Sequence, residues 1–357
     1  MANEDFVIED GVLKEYKGKD KNVVIPDGVT TIGISAFEHC KNLTSINIPK
    51  SVTIIEDRAF SFCAKLTSIN ISDGVTSIGE YAFECCESLT SITIPDSVTS
   101  IGNSAFVGCS KLTFIDVDVN NQGYSSFDGV LYNKGKTTLI KYPEAKKDNT
   151  FTIPDSVMSI EDYAFWGCGK LTSINIPNSV TSIGDSAFND CSKLTSINIP
   201  NSVISIGESA FWYCENLTSI NIPDSVTSIG DSAFSQCVKL TSITIPNGVK
   251  SIGYSAFNDC LNLTSINIPD GVTSIGEFAF CNCKNLTSIN IPDSVTCIEN
   301  GAFYSCSSLK SIKIPKSVTS IGENAFYECW KLNEIKAPKD LDLSKACVPK
   351  GCKIIRY

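Results

Sequence analysis

One histidine and seventeen cysteines are the side chains of this chain best suited to nucleophilic or metal chemistry. His39 stands directly before Cys40, and a catalytic pair of this kind needs an exposed thiol that an adjacent base activates. Cys40 instead belongs to a series of twelve regularly spaced cysteines, which we expect to be buried. The sequence therefore predicts no catalytic pair at this place and no enzymatic activity.

Metal-ligating side chains occur in one stretch with the spacing of a calcium loop, at Asp116, Asp118 and Asn120. In such a loop a glycine follows at the sixth position and an acidic residue at the twelfth. Those positions hold Asn121 and Phe127 here, and we interpret the stretch as a polar exit from a strand. Since the chain also has no Cys-x-x-Cys pair and no glycine-rich phosphate loop, we predict no metal and no other cofactor.

The charge and hydropathy of the chain argue against two classes of partner. A formal net charge of −10 and a pI near 4.8 do not suit nucleic acid, whose phosphates attract basic surfaces. No uninterrupted run of about 18 apolar residues is present, so we expect no insertion into a membrane. The opening Met-Ala-Asn-Glu does not have the basic segment and apolar stretch of a signal peptide.

The spacing of the cysteines shows the elements that must position all these residues. Consecutive members usually stand 23 positions apart, as Cys40 and Cys63 do, but Cys109 and Cys168 are separated by one ordinary repeat and one enlarged unit without a marker cysteine. Self-similarity at such a period indicates a solenoid, in which each repeat forms one coil and stacks only on its neighbours. The twelve cysteines are Cys40, Cys63, Cys86, Cys109, Cys168, Cys191, Cys214, Cys237, Cys260, Cys283, Cys306 and Cys329.

The repeat from Leu194 to Asn216 illustrates the expected folding of one coil. Ile197 begins an alternation of apolar and polar residues, so we predict a strand with its isoleucines facing the core. Pro200 has no amide donor and ends that strand. A second short extended segment follows at residues 203–206, and a single helical turn is expected at residues 210–214.

These coils predict a mainly β repeat solenoid, a leucine-rich-repeat-like right-handed superhelix with 23-residue repeats. We expect one long parallel concave sheet, with short extended segments and single helical turns elsewhere. The predicted organisation is a hairpin cap at residues 1–20, a solenoid at 21–338 with a projecting hairpin insertion at about 118–149, and a cap at 339–357. The expected strands of the sheet begin near Val23, Ile46, Ile69, Ile92, Ile115, Phe151, Ile174, Ile197, Ile220, Ile243, Ile266, Ile289, Ile312 and Ile335.

The cysteine series also predicts a redox state. Equivalent atoms of stacked coils lie about 4.8 Å apart, whereas a disulfide needs Cβ atoms about 3.8 Å apart. We therefore expect buried, reduced thiols. A bridge between Cys347 and Cys352 in the C-terminal cap is left open as an alternative.

The repeated motif Ile-Pro-x-x-Val-x-x-Ile-Gly-x-x-Ala-Phe-x-x-Cys-x-x-Leu-x-x-Ile resembles the BspA-like, or treponemal-type, family of bacterial leucine-rich repeats. The segments Asp10-Gly11-Val12-Leu13 and Asp128-Gly129-Val130-Leu131-Tyr132 are similar to segments of that family. The resemblance covers about residues 6–340. It implies a non-enzymatic adhesion module of a cell-surface or secreted protein, which binds host matrix or cell-surface proteins.

Departures from the repeat mark the residues we expect to bind such a partner. On the concave face Phe114 and Asp116 replace serine and asparagine, and aromatic residues occupy the helical-turn side at Trp166, Trp212 and Tyr213. Exposed tryptophan and tyrosine are favoured anchors at interfaces. The alternative for these aromatic residues is packing over the edges of neighbouring coils.

Two further surfaces are candidates for contacts. Lys134, Lys136 and Lys141 make the enlarged unit basic and could contact an acidic partner, although solvated lysines are the simpler interpretation. The concave face carries a column of serine and asparagine, such as Ser196 and Asn198, which could bind a glycan. The alternatives are that these small side chains hydrogen-bond along the sheet, and that the whole solenoid is a structural spacer.

Overall fold

The computed structural model describes residues 4–357, and they form a β-solenoid without any helix in that range. The chain divides into two compact units. The first contains the residues up to Lys147 together with Ile160–Cys168, and the second contains Asp148–Ser159 and Gly169–Tyr357. Each unit is built from coils that stack in parallel, so that each residue of a regular coil lies beside its equivalent in the next coil.

Residues 4–147 contain fourteen strands. They are β1 (Phe6–Glu9), β2 (Val12–Tyr16), β3 (Asn22–Val24), β4 (Thr31–Ile32), β5 (Ser45–Asn47), β6 (Ile54–Ile55), β7 (Ser68–Asn70), β8 (Ser77–Ile78), β9 (Ser91–Ile94), β10 (Ser100–Ile101), β11 (Phe114–Val117), β12 (Tyr124–Phe127), β13 (Val130–Asn133) and β14 (Thr138–Lys141).

The remainder of the chain contains seventeen strands. They are β15 (Thr150–Thr152), β16 (Ser159–Ile160), β17 (Ser173–Asn175), β18 (Ser182–Ile183), β19 (Ser196–Asn198), β20 (Ser205–Ile206), β21 (Ser219–Asn221), β22 (Ser228–Ile229), β23 (Ser242–Thr244), β24 (Ser251–Ile252), β25 (Ser265–Asn267), β26 (Ser274–Ile275), β27 (Cys297–Ile298), β28 (Ser311–Lys313), β29 (Ser320–Ile321), β30 (Glu334–Ala337) and β31 (Lys353–Arg356).

Two strands form in each regular coil, because two short segments alternate inward and outward residues. The longer strand pairs with its equivalent in the next coil, as Ile46 with Ile69 in β5 and β7. The shorter strand does the same, as Ile32 with Ile55 in β4 and β6. The inward isoleucines are buried in both cases, as the alternation predicts.

The longer strands form several sheets rather than one. They are β3-β5-β7 and β9-β11 in the first unit, and β15-β17-β19-β21-β23-β25 and β28-β30-β31 in the second. Thirteen of the fourteen predicted strands are present, and near Ile289 the pairing is reduced to a bridge between Asn267 and Asn290. Neighbouring strands of a sheet rotate relative to one another. Strands of three residues make few hydrogen bonds, so a small rotation between neighbouring strands is enough to break the pairing and end a sheet.

The segment from the glycine (or glutamate) to the cysteine of each coil contains the predicted helical turn, which was expected from the alanine to the cysteine, and no part of it is helical. We call it the turn segment. Ala36 N donates to Gly33 O at 3.1 Å, three residues back, whereas Phe37 N donates to Ala59 O of the next coil at 2.8 Å. Ser35 has a φ of 56°, in the left-handed region, and one left-handed residue interrupts a right-handed helix. The hydrogen bonds between coils decide this conformation.

The turn segments place a phenylalanine and a cysteine in the core. Phe60 and Phe83 stack with ring centroids 5.4 Å apart, and Cys63 Sγ donates to Phe37 O of the preceding coil at 3.1 Å. All seventeen cysteines are reduced, including Cys347 and Cys352. Eleven of the twelve in the series are buried, and Cys40 is half-buried. Burial raises the pKa of Cys109, Cys237 and Cys306, and these thiols are therefore poor nucleophiles.

Candidate functional site

The enlarged unit interrupts the stack and contributes to the core of the first unit. Its strands β12, β13 and β14 are antiparallel neighbours, with Phe127 opposite Val130 and Tyr132 opposite Leu139. The side chains of Val130, Tyr132 and Leu139 are fully buried. The prediction of a projecting hairpin is therefore wrong, because these apolar side chains fill core space that a regular coil would otherwise occupy.

Lys141 is not on the surface, contrary to the prediction of an exposed basic insertion. Only 4% of this residue is exposed, and its Nζ lies 3.2 Å from Glu144 Oε1. The same Oε1 accepts a hydrogen bond from Gly108 N at 2.9 Å. A charge inside a protein requires a partner of opposite charge and further hydrogen bonds. The ion pair therefore joins the enlarged unit to the coil before it.

The other two predicted lysines lie at the rim of the enlarged unit. Lys134 Nζ donates to Val119 O at 3.2 Å, and Lys136 Nζ lies 4.7 Å from the centroid of the Phe127 ring. Phe127 is 56% exposed. The structure thus places a cation over an exposed aromatic ring in this region, and we keep both lysines as proposed contacts.

Phe114 and Asp116 lie on the outward face of β11, as predicted. Phe114 is 45% exposed, and its ring contacts Gly129, where an added Cβ would lie 2.5 Å from Phe114 Cδ2. Asp116 Oδ1 accepts from Val117 N at 3.1 Å and lies 3.4 Å from Ser126 Oγ. Residues 4–357 contain no group of three acidic, histidine or cysteine side chains arranged for a metal ion.

The predicted aromatic anchors fall in different units. Trp212 and Tyr213, in the second unit, are 38% and 37% exposed. Their rings meet edge to face, with centroids 4.9 Å apart. Tyr213 has a φ of 59°, so its position before the cysteine of the turn segment turns the side chain away from the core.

Trp166, in the first unit, lines a surface cavity of about 240 Å³. Arg58 stands over the ring of Tyr81 at 5.0 Å in the same cavity. Cys85 also lines it, and burial raises the pKa of this thiol to about 11. The cavity therefore combines three aromatic rings, those of Tyr81, Tyr163 and Trp166, with a cation, a combination that the spacing of the repeat does not reveal.

A second cavity, of about 230 Å³, lies where the enlarged unit meets the coils on either side of it. Tyr124 Oη accepts a hydrogen bond from Ile101 N at 2.7 Å at its edge. Burial, and secondly the charge of Asp162, raise the pKa of Glu161. Sequence reasoning missed this cavity, although the long step between Cys109 and Cys168 marks its place. Its lining is Ile101, Gly102, Asn103, Ser104, Ala105, Phe106, Val107, Tyr124, Asn133, Thr138, Ile140, Lys141, Glu161, Asp162 and Tyr163.

The serine and asparagine column does not hydrogen-bond along the sheet as we expected from the sequence. Ser45 Oγ bonds to Asn22 Oδ1 at 2.7 Å, but no other side chain of the predicted column forms such a bond in the described chain. The neighbouring threonines form it instead, for example Thr195 Oγ1 to Thr172 O at 3.2 Å. Their hydroxyl groups satisfy the outer carbonyls, and the serines and asparagines remain uncommitted.

Comparison with protein families gives an extensive match. A family model described as the BspA-type leucine-rich repeat region, in 6 copies, matches residues 8–132, 144–263 and 250–356. A comparison with curated proteins found no match. Within residues 4–357, no helix has the length and apolarity that a membrane span requires.

Solved structures of bacterial repeat proteins are similar over most of their length. A leucine-rich repeat protein of Eubacterium ventriosum is 27% identical, covering 94% of this chain and 92% of that chain with a TM-score of 0.69. One from Bacteroides ovatus is 33% identical, covering 94% and 84% with a TM-score of 0.62. The pneumococcal vaccine antigen PcpA is 25% identical, covering 87% and 91% with a TM-score of 0.59.

Proposed function

Because the chain belongs to the BspA-type leucine-rich repeat family, we propose that it is a non-enzymatic protein-binding module that acts in adhesion. Its partners are host matrix or cell-surface proteins, and it operates at a bacterial cell surface or after secretion. The similarity to PcpA, a vaccine antigen, supports this location. The caps at residues 1–20 and 339–357 close the ends of the solenoid in this proposal.

The observation that carries the proposal is the exposed pair Trp212 and Tyr213. Other coils have an aromatic residue at no more than one of these two positions, and several have none, as Asn189 and Asp190 show. Two large rings in edge-to-face contact, each more than one-third exposed, leave apolar surface in water. Aromatic side chains of this kind supply much of the binding energy at protein interfaces.

A scaffold role rather than catalysis follows from the chemistry of the repeat. Buried thiols of the series such as Cys63 and Cys237 donate to backbone carbonyls in the core, and burial raises the pKa of Cys109 and Cys237. His39 stacks on Phe62 with ring centroids 4.7 Å apart. Cys40 follows His39 because it belongs to the regular cysteine series, and the adjacency alone does not indicate a catalytic pair. Repetition provides a long surface, and the departures from it provide the contacts.

Biolayer interferometry against immobilised fibronectin, fibrinogen, laminin and collagen tests the proposal. We expect binding of at least one of these, and a loss of about tenfold or more in the variant with Trp212→Ala and Tyr213→Ala. Tyr254→Ala removes another exposed aromatic ring of the second unit and serves as the matched control. Absence of binding to all four proteins and to host cells would contradict the proposal.

A glycan-binding surface is the second candidate, and the uncommitted serine and asparagine side chains favour it. They repeat with the spacing of the strands, about 4.8 Å, and offer both donors and acceptors. A glycan array separates this candidate from protein binding, with Asn198→Ala and Asn221→Ala as the variants. If neither proteins nor glycans bind, the spacer interpretation is favoured.

A further inference from the structure

Each regular turn segment directs three backbone amides toward the following coil. In the coil of Gly33, Ser35 N donates to Asp57 O at 3.0 Å, and Phe37 N donates to Ala59 O at 2.8 Å. His39 N completes the set by donating to a serine carbonyl at 2.9 Å. Every interior coil therefore needs the next one to satisfy these donors.

The turn segment of the coil that begins at Gly102 does not have a regular coil after it. Gly108 N, the third donor, bonds to the Glu144 carboxylate at 2.9 Å. Ser104 N and Phe106 N, the first and second donors, meet no acceptor among residues 4–357. Phe106 is only 2% exposed, and buried amides without a partner are rare. Both residues line the cavity of about 230 Å³.

The coil after the enlarged unit brings an unpaired carboxylate to the same cavity. Glu161 occupies a position where most coils have glycine and two others have glutamate. Glu56 Oε2 accepts from Ile34 N of the preceding coil at 2.9 Å, and Glu299 Oε2 accepts from Glu277 N at 3.1 Å. The carboxylate of Glu161 accepts no such bond in the part of the chain described.

The missing partner of Glu161 has the same cause as the missing acceptors. In a regular coil the amide that bonds to the glutamate carboxylate stands two residues after the carbonyl that accepts from the glutamate amide, as Ile34 N and Ile32 O do for Glu56. The equivalent amide for Glu161 is that of Lys141, which lies in β14 opposite Leu131. Leu139 O accepts from Glu161 N at 3.0 Å, but no amide of β14 bonds to the carboxylate. The enlarged unit thus leaves two amides of the preceding coil without an acceptor and the carboxylate of Glu161, in the following coil, without a donor. The cavity is lined by all three residues.

We propose that this cavity binds a small zwitterion of the α-amino acid class. The ligand carboxylate receives the amides of Ser104 and Phe106, and its ammonium group pairs with the carboxylate of Glu161. Charge-assisted hydrogen bonds of both kinds are stronger than neutral ones. The volume accommodates a ligand of this size, and the apolar side chains of Ile101 and Ile140 leave room for a short aliphatic group.

The other charged groups at the cavity agree with this assignment. Asp162 adds negative charge beside Glu161, as the raised pKa of Glu161 indicates. Lys141 contributes the only cation among the described residues of the lining, and Glu144 pairs with it at 3.2 Å. Tyr124 Oη already accepts from Ile101 N, which leaves its hydroxyl proton as a donor. The negative charges near Glu161 therefore favour binding of an ammonium group at this carboxylate.

Calorimetric titration with glycine, alanine and serine tests the proposal, with acetate and methylamine as probes that carry only one of the two charged groups. We expect each amino acid to bind about tenfold or more tightly than either probe, because only the amino acid uses both sets of contacts. In amide NMR spectra, the signals of Ser104 and Phe106 should shift on addition of glycine.

Two matched variants locate the ammonium contact. Glu161→Gln should weaken glycine binding about tenfold and leave acetate binding unchanged. Glu56→Gln changes the equivalent position of a regular coil and should leave both unchanged. A thermal melt of each variant confirms that it is folded.

Either of two results would overturn the proposal: no shift of the Ser104 and Phe106 amides at millimolar amino acid, or equal binding of acetate and glycine. The inference is independent of adhesion, since it concerns the cavity and not Trp212 and Tyr213. Loss of matrix binding with retained glycine binding, or the reverse, separates the two proposals.

Discussion

The regular coils of the second unit and the enlarged unit of the first provide different acceptors for the backbone amides of the coil before them. A regular coil uses the backbone of the next coil, as when Phe234 N donates to Ala256 O at 2.9 Å. At the enlarged unit a buried side-chain carboxylate, that of Glu144, replaces one such carbonyl. In the repeated coils few donors or acceptors of the turn segments lack a hydrogen-bond partner, whereas at the enlarged unit several do. The interruption is therefore the place where this fold can acquire a specific site.

The largest expected effect is at the buried ion pair. Glu144→Ala removes the partner of Lys141 Nζ and the acceptor of Gly108 N, so we expect a loss of about 3–5 kcal/mol in the free energy of unfolding. Urea unfolding measures it. Glu323→Ala breaks an exposed pair with Lys345 and should cost about 0–1 kcal/mol. Equal losses would show that the pair does not stabilise the interruption.

A smaller effect is expected where the enlarged unit turns beneath Phe114. Gly129 has a φ of +74°, and an added Cβ would lie 2.5 Å from the Phe114 ring. Gly129→Ala should therefore cost about 1–3 kcal/mol in thermal or urea unfolding. Gly135→Ala is the control, because its added Cβ meets only Thr137, at 3.8 Å. A Gly129→Ala variant as stable as the control would contradict the described turn.

In the regular coils the thiol series provides the next effect. Cys237 Sγ donates to Phe211 O at 3.2 Å in the core, so Cys237→Ala loses a hydrogen bond and a small buried volume. We expect a decrease of about 1–2 kcal/mol in the free energy of unfolding. Cys347→Ala removes an exposed thiol and should be close to neutral. Identical midpoints for the two variants would mean that the thiols only fill space.

The smallest effect concerns Glu161 and depends on pH. Burial raises its pKa in the folded state, so the folded protein holds this proton more tightly than the unfolded chain. Stability from this group is therefore present at low pH and is lost as the pH rises through the raised pKa. Glu161→Gln should be more stable than the natural chain at pH 7, by ~0.5 kcal/mol, and the difference should disappear near pH 4. A constant difference between the two pH values would contradict this.

The sequence predicts the regular coils well because one pattern is repeated many times. The alternation at Ile197 and the proline that follows it are enough to predict the inward residues of the strand, and they apply to every coil. The turn segment was harder to predict, because Ala-Phe-x-x-Cys is compatible with a helical turn by local propensity. Hydrogen bonds to residues 22 positions away decide its conformation, and local sequence carries no sign of them.

The candidate sites are less predictable from the sequence, because they depend on which hydrogen-bond and ion-pair partners the enlarged unit supplies or removes. Lysine is a residue type typical of solvated positions, and the burial of Lys141 follows only from the place of Glu144 on the following turn. The unpaired amide of Phe106 has no signal in its own sequence, since Phe83 stands in the same Ala-Phe-x-x-Cys motif and has a bonded amide. Such groups become visible only when each coil is compared with the one that should follow it.

The one-directional amides of the turn segments have a consequence for how such a chain changes in length. Every regular coil donates the same set of amide hydrogen bonds to the next coil as it accepts from the preceding one. Removing or duplicating one whole repeat inside a regular run therefore leaves the balance of donors and acceptors unchanged, and only the ends and the enlarged unit fix a position along the stack. A lineage can thus lengthen or shorten its binding surface in whole coils while the cavity beside Glu161 stays intact.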